Sequence, residues 1–426
     1  MSRWRWMLRR LTRRLWFRAA LFSVLAVATA LVSAVAAPFI PYEFTAQIGA
    51  SAVDNILSIL ASSMLAVTTF SLTTMVSAFS AASNAATPRA SLLLIEDQQA
   101  QNAISTFLGC FLFSIVGIIA LSTGFYGESG RVVLFIVTIG VILWIVVTLL
   151  RWIDHLSRFG RLGETVSRVE ATAAASLGDW AKRPRLGGAR SLPLPAEAVP
   201  VMAVDFGYLQ HIDVQALSRL AEEMEQDIHL AVLPGAALDP YRPLLHLPRA
   251  ASPESEERLR QAFTLGDQRG FEQDPRYGMI VLTEIACRAL SAATNDTGTA
   301  IGVLAALGRL LGRWAETKAE DEEAAFPRLR VPDIAPDVFF NDVFRPIARD
   351  GAGEVEVGIR LQKTLAMLAR CGQGRLAAPA RRLSAEALER AEAAGLLPAE
   401  MEILRRAAGA LAAEALAVGP ERPLPA

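Results

Sequence analysis

Four uncharged apolar runs crowd into the first 150 residues, and they limit what this chain can fold into more than anything that follows. A helix rises about 1.5 Å per residue, so roughly 20 apolar residues cross a hydrocarbon layer of about 30 Å. The runs Ala19–Ala37, Ile56–Phe79, Ile104–Leu121 and Val132–Leu150 meet or approach that length. Lipid admits only segments that satisfy their own backbone amides, and unbroken apolar runs of this length read as helices. Residues 19–155 are therefore expected to form a four-helix transmembrane domain. A signal peptide is the rival reading of the first run, because seven arginines precede it and "SAVAA" resembles a cleavage site. Its length, and the spans behind it, favour a retained helix.

Orientation follows from the arginines. Arg3, Arg5, Arg9, Arg10, Arg13, Arg14 and Arg18 precede the first run, whereas the loop from Pro38 to Asn55 carries no Lys or Arg. Positive charge stays inside, so the amino terminus is expected to be cytoplasmic, and four crossings return the chain to the same side. Arg151, Arg158, Arg161 and Arg168 after the fourth run agree, and the carboxy terminus is expected to be cytoplasmic too. Trp4, Trp6, Trp16 and Phe17 among the early arginines suit an interfacial segment, residues 1–18, lying against anionic lipid. Lipid thus accounts for the basic cluster, and with the net charge near zero no nucleic-acid partner is expected.

The second run holds eleven Ser and Thr residues between Ser58 and Ser83 and no charge. At 100° per residue, Ser58, Ser62, Thr69, Thr73, Ser80 and Ser83 fall within about 80° of one another. Leu60, Met64, Val67, Met75 and Ala78 occupy the opposite side, together with Ser63, Ser71 and Thr74. Two readings stay open. Small hydroxyl residues let helices pack closely, or they bond back to their own carbonyls. Alternatively the stripe lines a hydrated passage for a solute or ion. Small-residue pairs in the third run, Ser105 with Gly109 and Cys110 with Ser114, fit close packing. Between the second and third runs, Pro88 is expected to restart the helix, and Ser91–Ala103 reads as an amphipathic helix leading directly into the third span. Its polar residues, Glu96 to Gln99 with Gln101 and Asn102, form a solvated face or a docking site for the rest of the chain.

After the spans, residues 156–198 read as a polar helix and a breaker-rich linker, and 199–250 as a small β-containing module with a helix near Val214–Met224. About 50 residues bury too little to stand alone, so this module is expected to pack on its neighbours. Residues 251–318 read as helical: Ser252 caps a helix with Pro253 at its first position, and Tyr277, Val281, Ile285 and Ala289 share one face. Asp274 before Pro275, and Asn295 with Asp296 before Thr297, are expected to cap helices. The sharper alternative is a ligand or subunit contact made by Arg269, Asp274, Arg288, Asn295 and Asp296. Residues 319–418 read as a helical bundle and 419–426 as a disordered tail.

Chemistry leaves few marks. The three cysteines are widely spaced, the four histidines match no ligand pattern, and there is no P-loop, dinucleotide-binding glycine fingerprint or G-x-S-x-G. No catalytic residue, metal or cofactor is expected.

The stretches "SMLAVTTFSLTTMVSAFSAASNAATPRASLLLIEDQQAQNAISTFLGCF" and "GDQRGFEQDPRYGMIVLTEIACRALSAATNDTGTA" resemble the bacterial predicted membrane protein family known as domain of unknown function 2254. The resemblance runs from about Arg13 to about Arg370 and includes Asp274 with Pro275, Ala289 to Ser291, and Asn295 with Asp296. It departs at Ala292 and Thr297, where the family tends to place prolines. It implies a bacterial inner-membrane protein and no established activity. The expected fold is thus α-helical and membrane-spanning, followed by a cytoplasmic α+β domain with a mainly helical C-terminal region. The expected function is a homo-oligomer that passes a small solute or ion under control of its cytoplasmic domain. The alternative is a membrane-anchored sensor or scaffold that binds a partner; neither solute nor partner is legible.

Overall fold

The computed structural model describes residues 50–95, 97–123, 127–158, 160–318 and 324–417, together with Val24 and Ala28. The basic interfacial segment, the first expected span over Ala19–Ala37 and the tail 419–426 lie outside the described residues, apart from those two positions. Two compact units divide between Glu164 and Thr165.

No Gly or Pro interrupts the sequence from Ala50 to Ala85, and it forms one 36-residue helix, α1 (Ala50–Ala85). Thr87 then accepts the Ala90 amide through its hydroxyl at 3.2 Å and opens α2 (Pro88–Ile95), where the missing amide of Pro88 costs nothing. The expected helix Ser91–Ala103 does not run unbroken into the next span. Asp97 is extended (φ −62°, ψ 115°) and takes the Ala100 amide on its carboxylate at 2.7 Å, so α3 (Gln98–Ser122) starts afresh there. A short turn leads to α4 (Gly127–Arg158).

Among the described residues three helical stretches are long and apolar enough to cross a membrane: Ala52–Ala85, Gln98–Ser122 and Arg131–Ser157. Their packing is one-sided. Val53, Leu57, Ala61, Met64, Met75 and Ala82 of α1 are buried, against Phe107, Cys110 and Phe113 of α3 and Leu134, Ile145 and Trp152 of α4. Ser105, Gly109, Cys110 and Ser114 face this interior, as the small-residue spacing requires. Ile59, Phe70 and Val76 of α1 and Ile136, Leu143, Trp144 and Leu150 of α4 instead stand exposed. In water such a surface would be an aggregation hazard; in lipid it costs nothing.

The second unit carries most of α5 (Leu162–Lys182). The breaker-rich stretch after it is not all linker: β1 (Gly188–Arg190) lies there, and then come β2 (Val199–Met202), β3 (Gly207–Ile212), α6 (Val214–Glu223), β4 (Ile228–Leu230), β5 (Ala237–Leu238), β6 (Pro243–Leu247), α7 (Pro253–Gln261) and β7 (Phe263–Gly266). Next are α8 (Tyr277–Ala289), α9 (Thr297–Glu316) and a further strand, β8 (Phe326–Val331), inside the stretch expected to be helical. A five-stranded sheet runs β1-β8-β4-β6-β2, with β8 parallel to both its neighbours, and a three-stranded antiparallel sheet runs β5-β3-β7. One core joins Leu209, Ile212, Leu217, Ile228 and Leu245 to Leu259, Phe263, Leu329 and Val331. Strands and a helix from beyond residue 250 therefore complete the interior of the small β module, which answers its shortage of buried area.

Helices make up the rest. Short α10 (Pro336–Phe339) continues through a π turn at Phe340–Phe344 into α11 (Arg345–Asp350), and α12 (Val355–Arg370), α13 (Ala377–Ala393) and α14 (Pro398–Ala417) follow. Phe339, Phe340 and Phe344 are fully buried. Two glycines allow helices to touch: a Cβ on Gly278 of α8 would lie 2.5 Å from Ala173 Cβ of α5, and one on Gly308 of α9 would lie 2.9 Å from Thr364 Cγ2 of α12.

Candidate functional site

The hydroxyl stripe faces outward. Ser58, Ser62, Thr69, Thr73 and Ser80 are exposed and Ser83 is half-buried, because the larger apolar side chains of α1 occupy the face that interlocks with α3 and α4. Ser62 donates to the Ser58 carbonyl at 3.0 Å, Thr69 to Leu65 at 2.9 Å and Thr73 to Thr69 at 3.0 Å. These hydroxyls are satisfied by their own helix, so the face can meet lipid, water or another helix with no donor stranded. The hydroxyl that does bond across helices is Ser71, on the opposite side, which accepts the Trp152 indole N–H at 2.9 Å.

Nothing in the sequence singled out the polar pair one end of this bundle contains. Asp97, the cap of α3, lies 3.0 Å from His155 Nε2 in the last turns of α4, and both side chains are more than nine-tenths buried. The His155 ring also stands 5.6 Å from that of Trp152. A lone His and one acid within a polar run gave no spacing signal, since two separate helices bring them together.

The five residues proposed as a ligand or subunit contact fall at opposite ends of α8. Arg269 and Asp274 meet at its start. The Asp274 carboxylate is 1% exposed and accepts from Arg269 Nε at 2.8 Å and from the Arg276 amide at 3.1 Å. Burial pushes this carboxyl up, while the Arg269 guanidinium beside it pulls the other way. Tyr277 packs under Arg269, whose guanidinium carbon is 5.2 Å from the ring centre, and Gly235 (φ 90°) passes so close that any Cβ would overlap the Asp274 carboxylate. Asp274 does not cap α8 as expected. Arg276 holds the cap position without a side-chain bond, because the Asp274 oxygens already serve the two arginines.

Arg288, Asn295 and Asp296 lie at the far end of α8, about 20 Å away at 1.5 Å per residue. Arg288 is exposed. Asn295 takes the left-handed conformation (φ 46°) that Asn tolerates. Asp296 caps α9: its side chain accepts the Thr299 amide at 3.0 Å and the Thr299 hydroxyl, which together hold its carboxyl below the usual range. The structure thus forms two separate structural motifs from these five residues, not one site.

Binding chemistry elsewhere is sparse. No group of three or more His, Cys, Asp or Glu among the described residues could hold a metal. Burial pushes the Cys287 thiol up to about 12, well away from thiolate reactivity. An open groove of about 380 Å³ brings Glu225, Asp227, His229, Arg249 and Arg328 to one surface, with charges of both signs and no converging set.

Comparison with known proteins agrees with the membrane architecture and adds no chemistry. Uncharacterised proteins of Mycobacterium bovis and Mycobacterium tuberculosis are 34% identical over 116 residues, which is 26% of this chain and 22% of each relative. The match therefore spans about a fifth of those proteins' length. No solved structure matches the chain. A family model described as predicted membrane protein (DUF2254) matches residues 12–367, and the chain belongs to that family.

Proposed function

We propose that the protein assembles with copies of itself in the bacterial inner membrane through the hydroxyl face of α1, and that the assembly passes a small solute or ion. The outward stripe carries this reading. Ser58 to Ser83 spans about 37 Å of helix, enough to cross the hydrocarbon layer, and its side chains play almost no part in the chain's own bundle. In a ring of copies such a face meets its equivalent or borders a common axis. The region after the spans, returned to the arginine-rich cytoplasmic side, is placed to control that path.

One observation favours a second reading, in which copies only pack and the region after the spans recruits a partner. Ser62, Thr69 and Thr73 spend their donors on their own carbonyls, so the face needs no water. Native mass spectrometry in detergent and flux through reconstituted liposomes separate the readings. Oligomers that conduct, with conduction altered when Ser62, Thr69 and Thr73 become Leu, support the passage. Oligomers that never conduct support the scaffold, and a monomer overturns both.

A further inference from the structure

At the level where α3 begins and α4 ends, polar side chains converge inside an otherwise apolar bundle. Asp97 and His155 pair at 3.0 Å. One turn along α3, Gln101 is buried too, and Trp152, one turn before His155, donates to Ser71 of α1. All three helices are thus fastened by polar contacts. Ionisable groups are rare at the ends of membrane helices unless paired or functional, because leaving either one alone in that setting is costly.

The electrostatics favour one charge arrangement. Asp97 sits at the N-terminus of α3, where aligned peptide dipoles welcome an anion, and His155 sits in the last turns of α4, where they welcome a cation. The facing elements add little competing charge. α1 has no ionisable residue after Asp54, and α3 has Cys110 alone. The remaining charged neighbours are Arg151, Asp154 and Arg158 on α4 itself, Arg161 and Glu164 just beyond it, and Arg89 on α2; Arg151, Asp154 and Arg89 are exposed. Imidazole is the side chain that gains or loses its charge near neutral pH.

We propose that Asp97 and His155 form a proton-binding site, and that the proton on His155 sets how firmly the start of α3 is held to the end of α4. With the proton bound, imidazolium faces carboxylate and the contact is charge-assisted. Without it a neutral hydrogen bond remains, and α3 is freer to move at the break before Asp97. Such a site couples the aqueous pH at that end of the helices to the packing of the spans.

The test uses the full chain in nanodiscs of phosphatidylcholine and phosphatidylglycerol. Unfolding of wild type, Asp97→Asn, His155→Gln and the double variant is measured at pH 6 and pH 8. The coupling between the two positions, as a ratio of unfolding equilibrium constants, is expected to be about tenfold larger at pH 6 than at pH 8. Equal coupling at both pH values, or none at either, overturns the proposal. Should the variants fail to fold, exchange of the imidazole carbon-bound hydrogen, read by mass spectrometry on the wild-type peptide containing His155, still decides. A sigmoidal dependence between pH 5 and pH 9 is expected, and a flat profile overturns the proposal.

Discussion

Asp274→Asn removes one negative charge and almost no volume, which makes it the sharpest probe of the region after the spans. The carboxylate is 1% exposed, while the Arg269 and Arg276 side chains around it are 19% and 23% exposed. Breaking a buried ion pair by removing one partner costs about 3–5 kcal/mol, and the partial exposure of both arginines places this case near about 3 kcal/mol. Relaxation offers little relief. Gly235 presses on the carboxylate from one side, and an amide NH₂ put in place of either oxygen would face a guanidinium or the Arg276 amide, donor against donor. A loss of about 3 kcal/mol is on the order of a hundredfold in a local opening constant. Hydrogen exchange of the full-length protein in detergent reads it: amides of Tyr277–Ala289 should exchange roughly a hundred times faster in the variant, with those of α3 unchanged. Acceleration below about fivefold would refute the reasoning, because a loss that small is what an exposed helix cap gives.

Two further outcomes follow from the same packing and capping arguments. Gly278→Ala forces a methyl to 2.5 Å from the Ala173 Cβ and is expected to destabilise the protein by about 1–3 kcal/mol in thermal unfolding, with Ala173→Gly restoring most of the loss. Asp296→Ala should cost about 0.5–2 kcal/mol at pH 7. The Thr299 bonds hold the Asp296 carboxyl below its unfolded value, so its contribution is complete above about pH 4 and disappears as pH falls through the folded value; unfolding at pH 7, 5 and 3 should show wild type and variant converging at the acid end.

What the sequence disclosed and what it withheld divide along one physical line. Properties carried by a single segment were legible. Long apolar runs became α1, α3 and α4, Ser252 and Asp296 cap helices, and the amphipathic stretch after Asp213 is α6. Properties created by pairing were not. β1 is three residues long, and β8 reads "FPRLRV", with Pro and two Arg; neither announces a strand until β8 lies parallel between β1 and β4. Asp274 looked like a cap because its partner in space, Gly235, is remote in sequence, and Asp97 with His155 looked like nothing at all. The hydroxyl stripe belongs to both classes: periodicity located it on one face of α1, but only the volumes of Leu57, Met64 and Met75, keyed against Phe107 and Trp152, turned that face outward. The same reasoning reaches function. A membrane helix that presents satisfied hydroxyls away from its own bundle has its meaning set by what lies beyond the single chain, so the number of copies around α1 is the quantity that decides between passage and anchor.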